Sequence, residues 1–138
     1  MKKQIIYLAE KYHLQLIYVF GSRSKETLDL IEGRIPNLAS TQSDLDIGIK
    51  SQKHLNIEEK VEIAIFFEDL FKVPRVDVVV IPEVSIFLAL EIVTGEILYK
   101  INADFEAEYQ LYIMRQAADM MPYQKMKNKM LLGIDYGS

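Results

Sequence analysis

The chain has 138 residues, half of them hydrophobic and 26% charged, with no cysteine and a formal net charge of −4. That length suits one domain with a core of its own, and the missing cysteines exclude disulfides, thiolate metal sites and cysteine nucleophiles. The acidic balance argues against a broad basic face, so direct nucleic-acid binding is not expected.

Lys2 and Lys3 precede an apolar stretch, but Glu10, Lys11 and His13 interrupt it and no small-residue cleavage site follows. No uncharged apolar run approaches a membrane span. A soluble, cytoplasmic protein with no membrane contact is the expectation.

In chain order, Ile5, Ile6, Leu8 and Ala9 predict a short helix within Lys2–Tyr12. Leu14–Phe20 is apolar and predicts a strand, which Gly21 ends. Residues 25–42 read as an inserted loop around Gly33, Pro36 and Asn37, with a helical turn possible at Leu28, Leu30 and Ile31. A connection this long is usually functional or disordered. The second strand spans 45–50. Asn56 then opens a helix, with Glu59 completing a capping box. Val61, Ala64, Ile65, Glu68 and Phe71 track helical spacing toward Lys72. Pro74 breaks the chain, and 76–81 predicts a third strand that Pro82 ends. A helix over 84–93 stops near Gly95, and 96–101 is a short fourth strand. Asn102 caps a last helical segment over about 102–132, with Asp104 and Glu106 in its first turn, where the helix dipole favours them. Phe105, Tyr109, Tyr112, Ile113 and Ala117 share one stripe, and Pro122 kinks or ends the helix. The pattern predicts an α/β (α+β) domain over 1–138: a small mixed sheet with flanking helices.

Three carboxylates carry the chemistry. In Ser43-Asp44-Leu45-Asp46-Ile47-Gly48-Ile49 the strand period puts Asp44 and Asp46 on one face. Two carboxylates so placed repel, and a divalent metal is the usual compensation. The apolar residues that follow predict an inner strand. Gly48 continues the acid face with no side chain, which leaves room there for a ligand. Asp77 lies among Val76, Val78, Val79 and Val80, an apolar setting in which an unpaired acid is costly. It is either ion-paired, with Arg75 or another cation, or a third member of the metal cluster. Gly21-Ser22-Arg23-Ser24 follows the first strand. If a helix starts there, its free N–H groups and dipole favour phosphate, with Ser22 as a donor and Arg23 or Lys25 as positive charge. Taken alone, such a turn is more often structural. His13 and His54 have no matching ligand spacing and read as surface or structural residues.

Together, Val19-Phe20-Gly21-Ser22-Arg23, Ser43-Asp44-Leu45-Asp46 and Asp77 resemble the nucleotidyltransferase superfamily that includes DNA polymerase beta, in its minimal form, the MNT domain. The resemblance covers roughly residues 14–99. It implies the nucleotidyltransferase fold and Mg²⁺-dependent transfer of AMP from ATP to a hydroxyl. Asp44, Asp46 and Asp77 are then the catalytic and metal-holding residues for two Mg²⁺ ions, and Gly21, Ser22 and Arg23 bind the nucleotide. It also implies an antitoxin role toward a HEPN ribonuclease toxin, silenced by adenylylation of a tyrosine. Two features depart from the family. The stretch 23–43 is longer than its usual spacing, and Ser24-Lys25-Glu26 replaces its usual Ala-Arg-Gly, placing Glu26 near the phosphate turn.

Two other readings stay open: a catalytically idle MNT antitoxin that neutralises its partner by binding alone, or a small-molecule nucleotidyltransferase. Tyr109, Tyr112, Met120 and Met121 are the candidate partner surface, and homo- or hetero-oligomers are both compatible. Haloacid-dehalogenase-type phosphatases are excluded, because there the apolar strand precedes the acids. Glycosyltransferases with a D-x-D generally need a longer chain.

Overall fold

The computed structural model describes residues 1–38 and 44–132, the side chains of 123–126 and 128–132 excepted. In chain order these form α1 (Lys2–Tyr12), β1 (Leu14–Phe20), α2 (Ser24–Ile31), β2 (Leu45–Ser51), α3 (Ile57–Phe71), β3 (Val76–Val80), α4 (Ile86–Val93), β4 (Glu96–Lys100) and α5 (Ala103–Leu132). A 3-10 turn at Ile81–Glu83 links β3 toward α4. The expected mixed sheet is present, in the order β3-β2-β1-β4. β1 runs antiparallel to both β2 and β4, and β2 pairs with β3 in parallel. A parallel pair needs a long crossover, and α3 is its helix.

Strand alternation gives the sheet two apolar faces, and helices cover both. On one face Ile17, Val19, Leu45, Ile47 and Ile49 pack with Ile5 and Leu8 of α1 and Ile63, Phe67 and Phe71 of α3. On the other, Leu16, Tyr18 and Phe20 pack with Ala89, Ile92 and Val93 of α4 and Ile113 of α5. A register shift between Leu14 and Leu16 lets Leu14 join the first face instead of the second.

Several expectations change. Residues 24–31 form α2, which contains the helical turn read at Leu28, Leu30 and Ile31 but starts earlier, and it is held to the sheet side by buried Thr27 and Leu30. The rest of that stretch is turn and bend as far as Leu38, and 39–43 lie outside the described residues. On α3 the buried residues are Ile63, Phe67 and Phe71, while Val61 and Ile65 are exposed. The helix is apolar on most sides, so periodicity alone does not select the inward face. The Asn56–Glu59 capping box is present as expected. β3 ends at Val80 and α4 begins at Ile86, where the Ser85 hydroxyl accepts from Leu88 N–H.

Asn102 Oδ1 accepts from Phe105 N–H at 2.7 Å and starts α5. Pro122 lies inside α5 and does not end it. Residues 118–122 are exposed, so water can take the place of the donor that proline lacks. Among the described residues no helix is long and apolar enough to cross a membrane.

Candidate active site

The acids meet at one end of the inner strand pair. Asp46, on β2, is in register with Phe20 on β1 and with Asp77 on β3. Asp44 immediately precedes the same strand. Gly21 follows Phe20, so the turn after β1 stands beside the Asp46 carboxylate. A Cβ built on Gly21 would lie 3.0 Å from Asp46 Oδ2. Gly21 has φ +82°, a left-handed conformation that glycine adopts without penalty. Ser24 N–H bonds to Gly21 C=O at 3.3 Å and closes the turn, and α2 begins at once. The glycine–serine turn therefore opens a helix, the arrangement in which exposed N–H groups and the dipole favour an anion. Gly21 and Ser22 are both exposed.

Arg23 is treated differently by the fold. It is 4% exposed, and its guanidinium pairs with Glu26 one turn along α2. The Arg23 carbonyl accepts from the Thr27 hydroxyl at 2.8 Å. Glu26, which looked unfavourable beside a phosphate turn, is thus engaged with Arg23.

The three acids are brought together, with a different electrostatic balance from the one expected. Burial holds the Asp46 carboxyl above the usual aspartate value, and the nearby charges of Asp77, Asp44 and Glu91 push it the same way. Arg75 supplies the positive charge. Its Nε lies 3.2 Å from Asp77 Oδ1 and 3.7 Å from Asp44 Oδ2. Asp77 is thus ion-paired with Arg75, one of its two open readings, and stands in register with Asp46. The buried apolar setting expected for Asp77 is corrected. β3 is an edge strand, and the Asp77 side chain is 40% exposed.

The space expected above Gly48 is also corrected. A Cβ at Gly48 would lie 2.3 Å from Ile92 Cγ2, so α4 fills that place. At the other end of the acid row Asp44, Gly21 and Ser22 are exposed and Asp46 is half-buried. A cavity of about 280 Å³ lies between α1 and α3, and one of about 450 Å³ between α4 and α5. None of the three acids lines either one.

Glu91 is the group the sequence reading missed. It is the single charged residue of Ile-Phe-Leu-Ala-Leu-Glu-Ile-Val in α4. A lone acid in an apolar helix was the available signal, but only the packing of α4 on β2 brings it near Asp46.

Among the described residues no three His, Cys, Asp or Glu groups are arranged to hold a metal by themselves. The donor chemistry still fits a hard divalent cation. Mg²⁺ is typically held by one or two carboxylates together with substrate phosphates, not by a closed protein cage. Asp44, Asp46 and Asp77 supply such oxygens beside a turn suited to phosphate. His13 ends α1 in a left-handed conformation, with φ 56°, a structural place.

Comparison with known proteins follows the same lines. The family described as "Polymerase beta, Nucleotidyltransferase" matches residues 3–104. No curated protein sequence matches the chain. Among solved structures, a mutant of the toxin–antitoxin MntA–HpeT aligns with TM-score 0.67 and 20% identity over 96% of each chain. A toxin–antitoxin with AMP-PNP gives 0.66 and 22%, over 96% of this chain and 95% of that one. A complex of tri-AMPylated HEPN toxin with MNT antitoxin from Shewanella oneidensis gives 0.62 and 21%, over 96% and 92%. At these identities the likeness establishes the fold.

Proposed function

The chain belongs to the polymerase beta nucleotidyltransferase family, and on that premise we propose that it transfers AMP from ATP to a tyrosine hydroxyl of a HEPN toxin, as an antitoxin. The observation that carries this reading is the Gly21 turn packed so close to Asp46 that a Cβ added at Gly21 would lie 3.0 Å from Asp46 Oδ2, with Asp77 in register on the next strand. A phosphate-binding helix start and a row of carboxylates thereby face the same small volume.

In this reading Asp44, Asp46 and Asp77 hold two Mg²⁺ ions between them. Those ions supply charge neutralisation on the triphosphate and favour the ionised form of the attacking hydroxyl. The Gly21 turn, the Ser22 hydroxyl and the first N–H groups of α2 hold the β- and γ-phosphates in line for departure. Arg23 contributes by fixing the start of α2 through Glu26 and Thr27. The acceptor oxygen bonds to the α-phosphorus, and the bond from that phosphorus to the bridging oxygen breaks. Pyrophosphate leaves, and the hydroxyl proton passes to Asp77 or to water.

A macromolecular acceptor suits a site that lies on open surface. The second half of α5 supports a protein partner. The stripe that anchors α5 ends at Ala117, and beyond it Met120 and Met121 are exposed, as are Leu111, Tyr112 and Met114 before it. Exposed methionines and a tyrosine of this kind match the composition of partner surfaces. We read 1–138 as one minimal transferase unit in which α5 is the docking arm. Two neighbours support the partner and the modification, one with AMP-PNP and one with a tri-AMPylated HEPN toxin. Incubating the full chain with its HEPN partner, ATP and Mg²⁺ tests the proposal. A mass gain of one AMP per modified tyrosine is expected. Tight inhibition with no mass gain would replace transfer by neutralisation through binding.

A further inference from the structure

Among the described residues Arg75 is the one cation that touches two members of the acid row. It contacts Asp77 and Asp44 through Nε, at 3.2 and 3.7 Å. Its backbone is pinned, because its carbonyl accepts from Leu45 N–H at 3.3 Å across the β2–β3 edge. Its side chain is 68% exposed, so it is free to leave for solvent. Each contact uses one nitrogen and neither is a close paired fork, the geometry of a weak, exchangeable ion pair.

The same acids form the candidate metal row. We infer that Arg75 is a built-in placeholder, a guanidinium that spans Asp44 and Asp77 while no divalent ion is bound and swings into solvent when one binds. The inference rests on the proposed transferase reading and adds a role that neither turn nor acids supply. Without a cation, three carboxylates and Glu91 would face one another across β2, β3 and α4. One guanidinium offsets part of that repulsion and keeps the two flanking acids aimed at a shared centre. A divalent ion held by these carboxylates would bring twice the charge, and Arg75 would give up only two weak contacts. Arg75 is thus a positioning residue that sets metal affinity by competition.

The test uses the full chain, without nucleotide or partner. Mn²⁺ titration by calorimetry compares the natural chain with Arg75→Ala. The variant is expected to bind Mn²⁺ about two- to fivefold more tightly, the range that exposed ion pairs allow. It is also expected to melt lower than the natural chain in chelator, with the deficit disappearing at saturating Mn²⁺. A merely structural arginine would leave that deficit in place. In the isotope-labelled natural chain, the Arg75 Nε–H signal is expected to move to a free-guanidinium position during Mg²⁺ titration. An unmoved signal at saturation, or equal Mn²⁺ affinity in the two proteins, would overturn the placeholder and leave the transferase reading standing. Absence of divalent binding in both proteins, even with a non-hydrolysable ATP analogue present, would overturn both.

Discussion

Gly48→Ala probes whether α4 is seated directly on β2. A Cβ there would lie 2.3 Å from Ile92 Cγ2 and 3.4 Å from both Ile92 Cβ and Cδ1. Carbons in good contact sit about 3.5–4.0 Å apart, so the closest pair overlaps by more than about 1 Å. Ile92 is fully buried and branched at Cβ, and a stiff χ1 leaves it little room to turn aside. The helix has to shift. Overpacking of this kind costs about 1–3 kcal/mol, or roughly 3–5 °C of melting temperature per kcal/mol for a chain of this length. Urea denaturation of a double-mutant cycle isolates the contact. Ile92→Ala alone costs about 2–5 kcal/mol through the cavity it leaves. In that background the new methyl has space, so Gly48→Ala is expected to be neutral or stabilising. The coupling is then about 1–3 kcal/mol. Equal cost in both backgrounds, or no cost in either, would refute the seating of α4 and with it the placement of Glu91 near Asp46.

Three further outcomes are expected. Gly21→Ala, at φ +82° and 3.0 Å from Asp46 Oδ2, loses roughly 1–2 kcal/mol to left-handed strain and loses adenylyl transfer. A variant with undiminished transfer would remove the turn from the site. Because the Asp46 carboxyl is held above its usual value, the folded chain keeps that proton to higher pH than the unfolded chain. The stability it contributes is full below the unfolded value and is lost as pH rises through the raised one. Asp46→Asn is therefore expected to melt higher than the natural chain at neutral pH in chelator, with the gap closing toward acid. A lower melting temperature at neutral pH would contradict this. Tyr18 is buried with its hydroxyl lacking a hydrogen-bond partner among the described residues, and burial, then Glu106 and Tyr109, pushes it up to about 12. Tyr18→Phe should be neutral or stabilising by up to about 1 kcal/mol in urea denaturation, and a larger loss would reveal a partner for that hydroxyl.

Local chemistry made some of the molecule legible and left the rest to tertiary packing. β1 is apolar apart from Gln15 and is ended by Gly21, and its bounds follow from that alone. The Asn56–Glu59 box and the Asn102 cap are local hydrogen-bond devices, so they too can be read from neighbouring residues. The pairing of Asp44 with Asp46 on one face needs only the strand period. Strand order is another matter. Nothing near β4 says that it pairs with β1, or that β3 is an edge. Asp77 therefore looked buried, and its exposure came only with the sheet, whereas the pairing with Arg75, its neighbour but one, was already one of its two readings. Gly48 shows the same limit. A missing side chain reads equally as ligand space or as room for a neighbour, and only the position of Ile92 decides. Only the end of α2 was legible, as a turn at Leu28, Leu30 and Ile31, because the helix is short and two buried residues, Thr27 and Leu30, anchor it, while Gly33 and Pro36 just beyond mark turn. On α3, Val61 and Ile65 repeat at helical spacing as well as Ile63 and Phe67 do, and the sheet selects between them.

The proposed transfer is tested most directly by intact-mass analysis of the HEPN partner after incubation with ATP and Mg²⁺. The natural chain should add one AMP per modified tyrosine, and Asp46→Asn, folded and at least as stable without metal, should add none. Transfer that survives Asp46→Asn, or an unmodified partner that the natural chain nevertheless inhibits, would contradict a transferase built on these acids.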